Sequence, residues 1–169
     1  MSIDLEGDSF RSSILYWIWV LESEANLQFV KATGGGKSNV AIWRTLSVLS
    51  ELDGIAIGEF AQYTQIERTA LSHLLTQMEK QGFVKRRSMP NDRRTTQVFI
   101  LEKGKKTFLK MLPLRRAIIR RAARNISRKD LEVMMVTTRR LVDNLRRHAR
   151  PDVSQERKRS GLKSIDRSR

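Results

Sequence analysis

A mainly α fold of the α+β class is predicted: a winged helix-turn-helix unit set between long N- and C-terminal dimerisation helices. Three observations carry it. Two apolar-periodic segments stand about three residues apart, two extended runs around a basic turn follow them directly, and long helical stretches lie on either side. The chain's 169 residues are one domain's worth and suffice to bury a core without staples.

After Asp8 and Ser9, either of which can cap a helix, Phe10, Ile14, Trp17, Ile18 and Leu21 recur at helical spacing, so the first helix runs to about Val30 and ends at Gly34-Gly35-Gly36. A second helix, from Ser38 or Asn39 to Leu52, has Val40, Trp43, Leu46 and Leu49 on its apolar side and Asp53-Gly54 as its stop. Ile55 to Ile57 is extended. A short third helix spans Gly58 to about Thr64, with Phe60 and Ala61 inward. The fourth, Glu67 to Gln81, places Ala70, Leu71, Leu74, Leu75 and Met78 on one side and Arg68, Thr69, Ser72, His73, Thr76 and Gln77 on the other. Gly82 ends it. Strands over Phe83–Ser88 and Thr95–Leu101 then flank a hairpin from Met89 to Arg94. Helix returns from about Lys103 to Asn125 with a bend at Pro113, and Ser127 with Asp130 caps a last helix whose stripe is Leu131, Met134, Thr138, Leu141, Val142 and Leu145. The long first, fifth and sixth helices have more apolar face than one protomer covers, which points to a homodimer. The expected organisation is 1–36 for an N-terminal dimerisation helix and loop, 37–104 for the winged unit, 105–150 for C-terminal dimerisation helices and 151–169 for a basic flexible tail.

Composition narrows the chemistry. With no Cys, the chain has no disulfide framework, thiolate nucleophile or Cys-based zinc site, and a reducing cytoplasm is the expected compartment. Isolated histidines at 73 and 148 argue against a metal site, and neither a catalytic constellation nor a cofactor motif is present. Gly36-Lys37-Ser38 resembles the end of a phosphate loop, but Lys31 stands where its first Gly belongs. The longest apolar run, Ile14 to Leu21, is eight residues, where a membrane span needs roughly 20. An enzyme and a membrane protein are therefore set aside.

Lys plus Arg number 33 against 18 Asp plus Glu, a net charge of +15, which calls for a polyanionic partner and favours double-stranded DNA. The outer side of the fourth helix has the donors and acceptors that major-groove edges require: Arg68, Thr69, Ser72, His73, Thr76 and Gln77. Taken alone it is equally a solvated face; with the wing and the charge it reads as a DNA-contacting surface. Arg93 and Arg94 at the hairpin tip suit a narrow minor groove, with Asp92 near enough to orient one of them. Lys85, Arg86 and Arg87 fit phosphates.

At this point the chain resembles the MarR family, the multiple-antibiotic-resistance-type regulators, over roughly residues 10–148. The resemblance is carried by FAxxTxI from Phe60, ERTALSHLLTQMEKQGFVKRR from Glu67, and Asp92-x-Arg94 followed by Leu101-Glu102-Lys103-Gly104. In three places the chain departs from the pattern: Gln65 stands for the usual Gly of the reading turn, Leu101 for a Thr and His73 for a frequent Arg. The resemblance implies a homodimer on a pseudo-palindromic operator, often a repressor released by a small aromatic or amphipathic ligand, with Arg94 as the minor-groove residue.

For the ligand, the resemblance implies a pocket lined by Trp17, Trp43 and Phe108, although aromatic residues at helical spacing commonly just pack. Arg44 could meet a carboxylate or serve in a surface ion pair. The run 103–129 has eleven cations and no acid, among them Arg115, Arg116, Arg120 and Arg121. Solvated repulsion, contact with flanking phosphates, and a cradle for an anionic ligand such as an acyl-coenzyme A thioester all fit it. The function that follows is a sequence-specific regulator, a repressor released by an aromatic acid or its thioester. The alternative is a constitutive architectural DNA-binding protein without an effector.

Overall fold

The computed structural model describes residues 9–36, 38–89 and 92–148, without the side chains of Asp92, Arg93, Arg94 and His148. The tail expected over 151–169 lies outside the described residues. Helix α1 spans Ile14–Thr33, α2 Ser38–Glu51, α3 Ile57–Thr64, α4 Arg68–Lys80, α5 Glu102–Ala122 and α6 Arg128–His148; strands are β1 Ile55–Ala56, β2 Val84–Met89 and β3 Asp92–Ile100. The chain divides at Ala122/Ala123 into two units. α5 therefore falls within the unit that holds α1 and the winged region, rather than with the last helix.

Caps fix the helix ends. α1 starts later than expected because Ser13, not Asp8 or Ser9, is its N-cap, its Oγ accepting from the Tyr16 N–H at 3.4 Å, and Phe10 precedes the helix. Gly34, at φ 64°, closes it with its N–H on the Val30 carbonyl. The N-cap of α4 is Glu67, whose Oε2 accepts from Thr69 N–H at 2.8 Å and Ala70 N–H at 3.0 Å. The last helix is capped as expected: Ser127 Oγ donates to Asp130 Oδ2 at 2.7 Å and accepts from the Asp130 N–H at 3.1 Å. α5 runs through Pro113 as one element and ends at Ala122, short of Asn125, which has φ 62°.

The sheet is antiparallel in the order β1-β3-β2, with Ile55 opposite Val98 and Val84 opposite Ile100. Its inner face and the helices make one core from Leu46, Leu49, Phe60, Leu71, Leu75, Met78, Val84, Val98 and Ile100. A second cluster joins α1, α2 and α5 through Phe29, Met111 and Ile118, with Trp43 and Leu114 against it. Gly104 marks a close approach of backbone to backbone, because a Cβ there would lie 2.2 Å from the Phe83 carbonyl oxygen. α6, taken by itself, has no buried residue.

Gln65, between α3 and α4, holds φ 53° and ψ 32°, a left-handed conformation that costs a residue with a Cβ about 1–2 kcal/mol. Gln65→Gly is expected to stabilise the protein by about 1 kcal/mol, read as a higher denaturant midpoint at unchanged slope. Two backbone N–H groups hold the Glu67 carboxyl below its ordinary value, that of Thr69 contributing most and Ala70 next. A carboxyl with a depressed folded-state pKa contributes stability in full above its ordinary value, and that contribution is lost as pH falls below it. The stability difference between wild type and Glu67→Gln should accordingly be constant from about pH 7 to pH 5 and shrink towards about pH 3.

Candidate nucleic-acid interface and ligand hollow

α4 turns Leu71, Leu75 and Met78 into the core and leaves Arg68, Thr69, Ala70, His73 and Gln77 exposed, with Ser72 and Thr76 half-buried. Ala70 was expected on the apolar side. At 100° per residue it shares a face with His73 and Gln77 instead, three and seven positions on. Thr76 is turned towards the wing: its hydroxyl donates to the Ser72 carbonyl at 3.0 Å and accepts from Arg86 Nη2 at 3.2 Å. Arg68 and Ser72 border a hollow of about 310 Å³ whose other walls are Ala56, Ile57, Gly58, Thr95 and Thr96, so α4 and the root of the wing share one concavity.

The wing extends further than the sequence indicated. Met89 pairs with Asp92, so the backbone of Asp92, Arg93 and Arg94 belongs to β3 and not to a hairpin tip; ladder pairing continues to the turn, with a register shift between Ser88 and Met89. Along β2, alternation sends Lys85 and Arg87 to one face, where Lys85 Nζ stands 5.8 Å and Arg87 Cζ 5.9 Å from the Phe99 ring. Arg86 faces the other way and is engaged within the protein. Glu79 Oε1 accepts its backbone N–H at 2.9 Å, and Glu79 Oε2 accepts its Nε at 3.0 Å and its Nη2 at 2.8 Å. The Arg86 backbone N–H, then its side chain, hold the Glu79 carboxyl below the usual range against an opposing desolvation. Expected to stand with Lys85 and Arg87 on phosphates, Arg86 is thus committed to α4.

The expected aromatic trio does not converge. Trp43 stacks on Phe108 at 5.2 Å and 16°, and meets Phe29 at 5.7 Å. Trp17 lies twelve residues before Phe29 on α1, about 18 Å along the axis. Its indole N–H donates to the Arg11 carbonyl at 2.8 Å, its ring meets Tyr16, and it is 48% exposed. The four α5 arginines do not form one cradle either. Arg115 donates to Asn26 Oδ1 at 3.2 Å and lies over Phe29, Arg121 donates to Gln28 Oε1 at 3.1 Å, and Arg116 and Arg120 are exposed. Burial lowers the Arg115 pKa, Glu22 opposes this, and Arg44 adds to it.

Arg44 is ion-paired with Glu22. Both border an open hollow of about 320 Å³ completed by Trp43, Ser47, Val48, Tyr63, Thr64 and Gln65, where Phe108 and Trp17 take no part. The Ser47 hydroxyl oxygen is buried without a hydrogen-bond partner among the described residues. Glu22, Ser47 and Tyr63 escaped sequence reasoning because they come from three helices with no shared spacing. Glu79 escaped because its partner lies across a helix end and a turn.

Among the described residues no helix is long and apolar enough to cross a membrane. The model of the MarR family matches residues 39–96, the segment from α2 into β3. The HTH-type transcriptional regulator YdgJ of Bacillus subtilis strain 168 is 23% identical over 137 residues, 81% of this chain and 82% of that protein. A MarR-family transcriptional regulator from Silicibacter pomeroyi superimposes with a TM-score of 0.74 at 21% identity, covering 83% of this chain and 95% of that one. The transcriptional repressor CouR, solved on a 23-mer DNA duplex, superimposes with a TM-score of 0.68 at 18% identity, covering 82% and 99%. The similarity in fold thus runs well beyond the matched segment, through most of the flanking helices. Residues 39–96 are thus similar in sequence to the MarR family, and the chain shares the winged-helix architecture of the MarR-family regulators it superimposes on.

Proposed function

We propose that the chain is a sequence-specific repressor that binds a pseudo-palindromic operator as a homodimer, each protomer laying α4 in a major groove and its wing along the flanking minor groove. The observation that carries this reading is the exposed side of α4, where Arg68, Thr69, His73 and Gln77 present donors and acceptors suited to base edges beside a wing that bears Lys85 and Arg87. Support for the homodimer comes from apolar side chains left exposed on the terminal helices: Leu15, Trp19 and Leu27 on α1, and Val133, Met134 and Leu145 on α6. A regulator prefers its operator over random duplex by ~10³ or more, whereas an architectural protein discriminates little. A duplex selected from a random pool by the wild-type chain should meet that ratio, and Arg94→Ala should weaken its binding by about 1–3 kcal/mol. An unchanged affinity would remove Arg94 from the interface, and a ratio near one would favour the architectural alternative.

The effector on this reading is a small aromatic carboxylate held in the hollow beside Trp43. Its ring would lie against the indole, its carboxylate would take Arg44 from Glu22, and Ser47 would supply a further polar contact. Arg115, Arg116, Arg120 and Arg121 diverge, so a coenzyme A thioester has no single cradle and the free acid is favoured. Release of DNA requires that the acid bind better to a conformer whose two reading helices no longer match grooves ~34 Å apart. Calorimetric titration with aromatic acids and their thioesters, paired with an operator-release assay, should find acids whose binding weakens at least about tenfold in Arg44→Gln. Binding that leaves the operator complex intact would count against effector control.

A further inference from the structure

β2 is an edge strand, with β3 on one side only, so its outward N–H groups need partners from outside the sheet. Glu79, in the last turn of α4, supplies one. The same carboxylate that accepts the Arg86 N–H at 2.9 Å also accepts Nε at 3.0 Å and Nη2 at 2.8 Å, so a single side chain grips both backbone and guanidinium of the wing. From there the link continues into α4, through the 3.2 Å bond from Arg86 Nη2 to Thr76 Oγ1 and the 3.0 Å bond from Thr76 to the Ser72 carbonyl. Ser72 also lines the concavity shared with Arg68 and the wing root. Both ends of the ion pair are partly shielded, with side chains 26% and 35% exposed.

We propose that Glu79, Arg86 and Thr76 are positioning residues for DNA reading, a clamp that sets the wing at a fixed distance and angle from α4 so that major- and minor-groove contacts are made together. This rests on the reading of α4 and the wing as the two groove-contacting elements. A guanidinium already shared between a carboxylate and a hydroxyl has little left to offer a phosphate. Turning the wing away from α4 breaks three charge-assisted bonds at once. Phosphate contacts tolerate such a displacement because the backbone charge is continuous along the duplex, whereas base contacts do not. Loss of the clamp therefore lowers discrimination between sequences rather than affinity for DNA in general.

Arg86→Lys separates the two roles, since lysine keeps the charge that a phosphate needs but cannot form the planar fork that Glu79 receives. The full chain, Arg86→Lys, Glu79→Gln and a Lys85→Gln control would be titrated against the selected duplex and a random duplex at several salt concentrations, after thermal unfolding shows each variant folded. The clamp requires the operator-to-random ratio to fall about tenfold in both Arg86→Lys and Glu79→Gln, with random-duplex affinity and its salt slope unchanged in Arg86→Lys. Lys85→Gln should lower both affinities alike and flatten the slope by about one. A ratio that stays at the wild-type value in Arg86→Lys and Glu79→Gln overturns the clamp. Should Glu79→Gln fail to fold, Thr76→Val, which removes only the outer link, must lower the ratio by a smaller factor, and an unaltered ratio overturns the clamp equally. Absence of any preference in the wild-type chain would instead defeat the operator reading itself, so the two failures are distinguishable.

Discussion

The position of α4 depends on β3 being the central strand. It is hydrogen-bonded to β1 on one side and β2 on the other, and its Val98 and Ile100 enter the same core as Leu71, Leu75 and Met78 of α4. The far end of the strand is pinned from outside the sheet, where Asp53 Oδ1 accepts the Ile100 N–H at 2.8 Å and Gly54 donates to the Val98 carbonyl at 2.9 Å. One strand thus carries part of the wing at one end and, at the other, side chains of the core on which α4 rests. The tight seat of Gly104 under Phe83 carries the same constraint forward into the start of α5.

Charge is divided in a way that a count of cations conceals. The chain has 33 Lys and Arg, yet several of those nearest the reading unit are occupied by the protein itself: Arg86 by Glu79, Arg44 by Glu22, and Arg115 by Asn26 and the Phe29 ring. Lys85 and Arg87 instead lie over the Phe99 ring, an arrangement that orients a cation without neutralising it. Whether a cation is engaged within the protein is therefore decided by the acceptor or ring beside it, and not by local density of basic residues.

Much of the fold was legible from periodicity. The apolar spacing in α2, α4 and α6, the glycines at 34, 54 and 82, and the Ser127–Asp130 cap each act within a few residues, and the structure agrees with them. What was not legible acts across elements. Ser13 displaced Ser9 as a cap by a choice between neighbouring hydroxyls that spacing cannot make. Trp17 and Trp43 share a residue type but face different surroundings, since the angular position of a side chain on α1 is set by what α2 and α5 bury. The exposed side of α4 could be drawn to within a residue or two, with Ala70 on the wrong side. The role of Arg86 could not, because it depends on Glu79 seven positions away through a change from helix to strand.

Pro113 gives α5 an uneven stiffness. Lacking an N–H, it leaves the Leu109 carbonyl without its partner in the helical ladder, and Leu109 is 62% exposed, so water can satisfy that oxygen. On one side of the break lies Phe108, stacked on Trp43; on the other lies Ile118, buried against the α1 and α2 cluster. The helix still runs through Pro113 as one element, its two halves joined there by one ladder bond fewer. α2 has no such interruption, and its Ile42 packs against both core clusters, so it joins the winged core to the cluster of α1 and α5 without a missing ladder bond.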